Sequence, residues 1–135
     1  MASAIFVNLP VRDLEASKGF FRHLGFDFNP QFSNDDATGM VVADNIHVML
    51  LTEPFFRTFT DKAVCDTQSH TEVLTCLSQD SREGVDRLVR LAVEAGGRVP
   101  RDPQDHGFMY AHAFEDLDGH TWELVYMEPN AAEQA

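Results

Sequence analysis

The sequence predicts an α+β fold made of two copies of a βαβββ unit, and three observations carry that expectation. Strand-like and helix-like segments follow one another in the same order in both halves. Each helix-like pattern stops at glycine, Gly25 in the first half and Gly96-Gly97 in the second. A two-residue turn signal precedes the last strand of each half, Asp44-Asn45 and Asp118-Gly119, and superposing these turns sets Met49 against Glu123. Two units of this length share a core or pair with those of a second subunit, because 135 residues make about one domain.

In the first half, Ala4 to Leu9 reads as a strand closed by Pro10. Asp13 is placed to cap a helix from Leu14, because its carboxylate can accept amide protons that the first turn leaves free. Leu14, Ser17, Phe20, Phe21 and Leu24 lie at helical spacing, and Gly25 can adopt the positive φ of a helix stop. Phe26, Phe28 and Phe32 then alternate as on a strand, Gly39 to Ala43 forms a second, and Ile46 to Leu51 a third. Thr52 to Ser69 shows no sustained period and reads as the connection, whose phenylalanines need a surface to cover or a short helix to sit on.

The second half repeats the order. Thr71 to Ser78 reads as a strand, Ser81 to Ala95 as a helix capped by Asp80 or Ser81, Arg98 to Pro100 as a short strand, and Phe108 to Glu115 and Thr121 to Met127 as the last two. Val85, Leu88, Val89, Ala92 and Val93 form the expected buried stripe of that helix. The expected organisation is a single domain over 1–130, with modules at about 4–52 and 70–128, a connection at 53–69 and a polar tail at 131–135.

Composition narrows the functions. The net charge of -12, from 22 acidic and 10 basic residues, repels polyphosphate backbones and anionic lipid, so neither nucleic acid nor a membrane is the expected partner. No apolar run of about 18 residues occurs, and the reading is a soluble, cytoplasmic protein. Cys65 and Cys76 show no redox or zinc spacing; Cys76, alternating with Leu74, is expected to be packed, and Cys65, in the polar connection, exposed. Dinucleotide, Walker and nucleophile-elbow motifs are missing, which sets nucleotide cofactors and serine-type acyl transfer aside.

Two stretches resemble one family. Asn8-Leu9-Pro10-Val11-Arg12-Asp13-Leu14-Glu15-Ala16-Ser17, followed by Phe20-Phe21 and Leu24-Gly25-Phe26, resembles the opening of the vicinal oxygen chelate superfamily of glyoxalase I, bleomycin-resistance proteins, fosfomycin-resistance enzymes and extradiol dioxygenases. Phe114-Glu115-Asp116-Leu117-Asp118-Gly119-His120-Thr121-Trp122-Glu123-Leu124 is similar to that family's final hairpin, with Leu117 where proline is common. The resemblance implies a cavity between paired units, often in a homodimer, and a divalent metal held by the first and last strands of each unit. Carried over strand by strand, the four ligand positions fall on Phe6, Met49, Glu72 and Glu123. Phe6 has no electron pair to donate and Met49 offers only a soft thioether, so no resident metal is expected, with a weak divalent cation at Glu72 and Glu123 as the alternative.

The candidate catalytic residues are Glu72 and Glu123. Alternation turns Glu123 away from Trp122 and Leu124, and a carboxylate directed into a cavity needs a donor, ion or water. If both face inward, they can share a proton as acid and base. Candidate ligand contacts are Phe6, Asn8, His47, Met49, Phe56 and His106, chosen by strand parity, by apolar character or, for His106, by its loop at a strand mouth. The resemblance also puts Ala111 and Ala113 on the Glu123 face, leaving Tyr110 and His112 toward the helices with His112 a satisfied packing histidine; His120 reads as a hairpin feature. Three functions stay open: a glyoxalase-like protein acting on a small organic molecule without the usual metal, a metal-free bleomycin-resistance-like binding protein favouring a neutral or cationic ligand, and a divalent-metal-dependent lyase or isomerase. Whether the chain is an enzyme is left undecided by the residues alone.

Overall fold

A computed structural model describes residues 2–129, so the tail expected at 131–135 lies outside the described residues. The chain divides into two compact units between Asp66 and Thr67. Each contains a helix and a four-stranded mixed sheet, and the α+β class with two βαβββ modules is the observed one.

The first unit runs β1 (Ile5–Val11), α1 (Leu14–His23), β2 (Asp27–Asn29), β3 (Ala37–Ala43), β4 (Ile46–Thr52) and the short α2 (Glu53–Phe56). Its strand order is β1-β4-β3-β2, with β1 parallel to β4 and the other pairs antiparallel. Asp13 caps α1 as expected, accepting the Ala16 N–H at 3.0 Å, and Gly25 ends it with φ 101°. Leu14, Ser17, Phe20, Phe21 and Leu24 are all buried, as are Val48 and Leu50 of β4.

Two expectations for this unit are corrected. β1 does not stop at Pro10 but continues through it to Val11. As the sheet's edge strand, β1 tolerates the missing N–H that would break a central ladder. Phe32 is not on a strand: Asn29 accepts the Gln31 N–H at 2.9 Å, Pro30 sits at the first turn position, and Pro30–Phe32 coil into a 3-10 turn. The connection carries α2 and a second 3-10 turn, Arg57–Phe59, and α2 packs against β1 and β4.

The second unit runs β5 (Leu74–Ser78), α3 (Arg82–Glu94), β6 (Gln104–Asp105), β7 (Met109–Glu115) and β8 (Thr121–Met127), in the order β5-β8-β7-β6. Ser81 caps α3 by accepting the Gly84 N–H at 3.0 Å, and Gly96, at φ 106°, stops it. Val85, Leu88, Val89 and Ala92 pack with Phe114, Trp122 and Leu124, the Phe114 and Trp122 rings stacked at 6.3 Å. Burying each large side chain stabilises the fold by roughly 1.5–3 kcal/mol.

Four expectations are corrected here. Val93 is 49% exposed, at the edge of the stripe rather than in it. Arg98 to Pro100 forms only a single bridge, Arg98 to Glu115, and the short strand lies at β6 instead. Arg82 fixes that placement, bonding Asp105 and the Gly107 carbonyl at 3.0 Å each and lying over the Tyr110 ring. Cys76 is exposed and Cys65 half-buried, the reverse of the expected pair, because Cys76 points away from α3 on an edge strand. β5 begins at Leu74 rather than Thr71, which leaves Glu72 outside the strand.

Candidate functional site

On the first sheet, strand register assembles one side-chain face in two transverse rows. Phe6, His47, Val41 and Asp27 face one another across β1, β4, β3 and β2; Asn8, Met49, Gly39 and Asn29 form the next row. The opposite parity holds Leu9, Val48, Leu50 and Met40, the buried side. The four first-unit strand candidates Phe6, Asn8, His47 and Met49 therefore share a face. Asp27, Asn29 and Val41 also belong to it and were missed, because alternation alone does not set the register that joins them to Phe6 and Asn8.

Phe6 keeps 50% of its surface exposed, stacks on His47 with ring centroids 4.7 Å apart and an 11° tilt, and meets Phe32 edge-on at 6.5 Å. His47 Nε2 lies 3.2 Å from the Asp44 carbonyl oxygen. A carbonyl oxygen only accepts, so Nε2 carries the proton and Nδ1 of the neutral ring is left as an acceptor. Gly39 leaves room for Phe32: a Cβ there would stand 3.0 Å from Phe32 Cβ and 3.3 Å from Met49 Sδ. Phe56 is half-buried on α2, away from these rows, at the end of the sheet where α2 packs.

In the second unit, Glu123 shares a row with Cys76 and Ala113, and the next row holds Ala111 and Gln104. It borders a shallow recess that also includes Arg101, Asp102 and Gln104. Local desolvation and the Glu123 carboxylate push the Cys76 thiol up, which disfavours the thiolate there. Tyr110 donates to Asp86 of α3 at 2.6 Å, so its ring faces the helix; that bond, with burial, pushes its hydroxyl up to about 12. His112 is not a satisfied packing histidine: both ring nitrogens are buried with no hydrogen-bond partner among the described residues.

Glu72 is brought to His120. Its Oε1 lies 3.2 Å from Nδ1 of that residue, which is 3% exposed and shares the parity of Trp122 rather than of Glu123. Behind His120, the buried Asp116 carboxylate accepts the Asp118 N–H at 2.9 Å, the His120 N–H at 3.0 Å and the Trp122 indole N–H at 2.9 Å. Burial pushes the Asp116 carboxyl up, against the pull of His120, the indole and the Asp118 N–H. No sequence pattern singled Asp116 out, because its role depends on the turn folding back over it. His106 sits at the β6–β7 hairpin tip, near Phe108, whose carbonyl accepts the Glu128 N–H. Glu123 is five residues from Glu128, which follows the end of β8, about 17 Å at the rise of a strand.

The donors present do not fit the usual divalent ion. Phe6 presents a ring face, Met49 a thioether, and among the described residues no three His, Cys, Asp or Glu side chains gather as a metal site.

Residues 4–43 match the family model described as bleomycin resistance protein-like N-terminal. No curated protein matches the chain. A hypothetical protein from S. aureus is 32% identical, with 93% of this chain and 95% of that one covered at a TM-score of 0.78. The same fold is found in a glyoxalase/bleomycin resistance protein/dioxygenase family enzyme from Burkholderia phytofirmans, 18% identical over 90% of this chain and 96% of that one, at a TM-score of 0.75. The fosfomycin resistance protein FosX from Listeria monocytogenes, in complex with Mn(II) and sulfate, is 18% identical over 99% and 98% at a TM-score of 0.72. The repeated βαβββ modules, the opening and closing motifs and these matches agree, and the chain belongs to the vicinal oxygen chelate superfamily.

Proposed function

We propose that the chain is a glyoxalase-like protein that binds a small organic molecule, neutral or cationic, without the divalent metal of the superfamily's enzymes. The half-exposed Phe6 ring, stacked on His47, carries this reading, because it sets an apolar surface where a metal ligand is expected. Asn8 and Met49 in the adjoining row supply a polar and a soft contact beside it, as small-molecule sites require. Purified with magnesium, manganese, zinc and iron supplied, the protein is expected to retain no stoichiometric ion by elemental analysis. One tightly held ion per chain, lost on Glu123→Gln, would overturn the metal-free reading.

The same proposal takes residues 1–130 as one domain and the protein as a cytoplasmic homodimer. The acidic charge argues against nucleic acid and anionic membranes, and no described helix is long and apolar enough to cross a membrane.

A second reading is favoured by Glu123 at the mouth of its recess: a metal-independent enzyme that moves a proton on an enolisable substrate. Glu123 would take the proton. Glu72 lies beside His120, on the Trp122 side, so it would join Glu123 as the second carboxylate, or as a second ligand of a weakly held cation, only by leaving that contact. Such an enzyme should exchange substrate hydrogen with deuterated water, and Glu123→Gln should slow that exchange roughly 10²-fold or more. Unchanged exchange after replacing both glutamates would take them out of the mechanism.

A further inference from the structure

Between α3 and β6 the chain runs beside β7 without joining its ladder. Arg98 bridges Glu115 and Gln104 pairs with Ala111, so five residues, Val99 to Pro103, stand opposite three, His112 to Phe114. The surplus cannot stay in an antiparallel ladder, and the segment arches off the strand. Every residue from Arg98 to Phe108 is exposed, and among the described residues no hydrogen bond or ion pair holds Val99 to Pro103. Pro100 and Pro103 stiffen the arch, while Gly96 and Gly107, with φ 106° and 82°, lie just beyond its two ends. Arg101 and Asp102 of the arch border the recess at Glu123, together with Ala111 and Ala113 of β7.

The end of the arch next to β6 is fastened from α3. Arg82 donates to Asp105 Oδ2 and to the Gly107 carbonyl at 3.0 Å each, reaches Glu128 Oε1 at 3.5 Å and lies over the Tyr110 ring. Asp105 Oδ1 accepts the Gly107 N–H at 3.0 Å; that bond, and then Arg82, hold the carboxyl below the usual carboxylate range, so the fastening stays charged at neutral pH. The other end has only the bridge from Arg98 to Glu115, whose side chains stand 3.6 Å apart. We propose that Val99 to Pro103 form a lid over the Glu123 recess and that Arg82 is the latch that sets how often the lid opens. A stiff arch without ladder partners, set between glycine-bearing ends, swings as one piece, and each charge-assisted bond to Asp105 lowers the open population. Closed, the arch sets Arg101 and Asp102 beside Glu123; open, it uncovers Ala113, which is 6% exposed in the closed form. The lid rests on the enzyme reading above only for what the recess is used for.

The test uses the full chain carrying Cys65→Ser, Cys76→Ser and Ala113→Cys, so that the rate of labelling by iodoacetamide reads access to the recess without any substrate. Adding Arg82→Met is expected to raise that rate about tenfold, and Asp105→Asn, which leaves α3 untouched, about threefold. Arg90→Met, which removes an ion pair to Glu94 on the same helix, should leave it unchanged. Amide exchange over residues 99–105 should quicken by similar factors while residues 85–92 of α3 keep their rate, the mark of local opening rather than unfolding. Faster exchange with unmoved labelling would mean that the latch holds only the hairpin tip, and the lid falls. Unmoved exchange in both variants would mean that Arg82 is no latch, and the proposal falls with it. Labelling that responds as expected in a chain without proton exchange on an enolisable substrate upholds the lid and removes only the enzyme reading.

Discussion

Replacing Asp116 with alanine is expected to cost the second unit roughly 3–5 kcal/mol, read as a lower urea midpoint at unchanged slope. One carboxylate serves three donors: Oδ1 takes the backbone N–H groups of Asp118 and His120, and Oδ2 takes the Trp122 indole N–H. Asp116 is 6% exposed, so water does not replace it freely. Alanine leaves three donors without their acceptor at about 1–3 kcal/mol each, and the sum is reduced because the turn can relax and admit solvent. Folded domains hold only about 5–15 kcal/mol in reserve, so the loss is a large share.

Companion variants separate the parts. Asp116→Asn keeps one oxygen and is expected to lose less, roughly 1–3 kcal/mol, because its NH₂ group must face either the indole or the backbone donors. Trp122→Phe removes one donor while leaving an aromatic ring to stack on Phe114. If the indole bond matters as described, the losses from Asp116→Asn and Trp122→Phe are less than additive. A loss below about 1 kcal/mol for Asp116→Ala would show that the turn does not depend on this carboxylate.

What could be read from the sequence was local. Helix α1 was legible because its cap, stripe and stop lie within one short stretch, Asp13 to Gly25, and each acts on its near neighbours. The shared face of Phe6, Asn8, His47 and Met49 followed from parity, which needs only the strand period. Register did not follow, and with it went Asp27, whose place in the Phe6 row is fixed by pairings across three strands. Glu72 was misplaced for the same reason: its strand looked longer than it is because the contact with His120 comes from a distant turn. The short β6 likewise depends on Arg82, which reaches it from the start of α3 and bonds both Asp105 and the Gly107 carbonyl. In each case a pair distant in sequence decided the outcome, and a one-dimensional pattern holds no term for it.

A further distant contact, between Gly119 and the Thr67 backbone, supports a prediction of its own. Gly119→Ala is expected to destabilise the protein by roughly 2–4 kcal/mol, whereas Gly25→Ala should cost only about 1–2. Both glycines have positive φ, 88° and 101°, so both substitutions carry the same backbone penalty. They differ in what a Cβ meets. At Gly25 nothing lies within 4 Å; at Gly119 the Thr67 carbonyl oxygen lies 2.5 Å away and its carbon 3.0 Å. A backbone carbonyl cannot swing aside as a side-chain tip can, so the 67–68 segment must shift, taking with it the Thr67 hydroxyl and Gln68 amide that donate to the Asp118 carbonyl. Thr67→Val, which removes only the hydroxyl, should cost about 1 kcal/mol, leaving the steric part visible as the difference. Because this segment leads directly into Glu72, amide exchange over residues 68–72 should quicken in Gly119→Ala and not in Gly25→Ala. Equal losses for the two glycines would mean that the Thr67 backbone gives way easily, and that Glu72 is held at His120 by their own contact rather than by the turn beneath it.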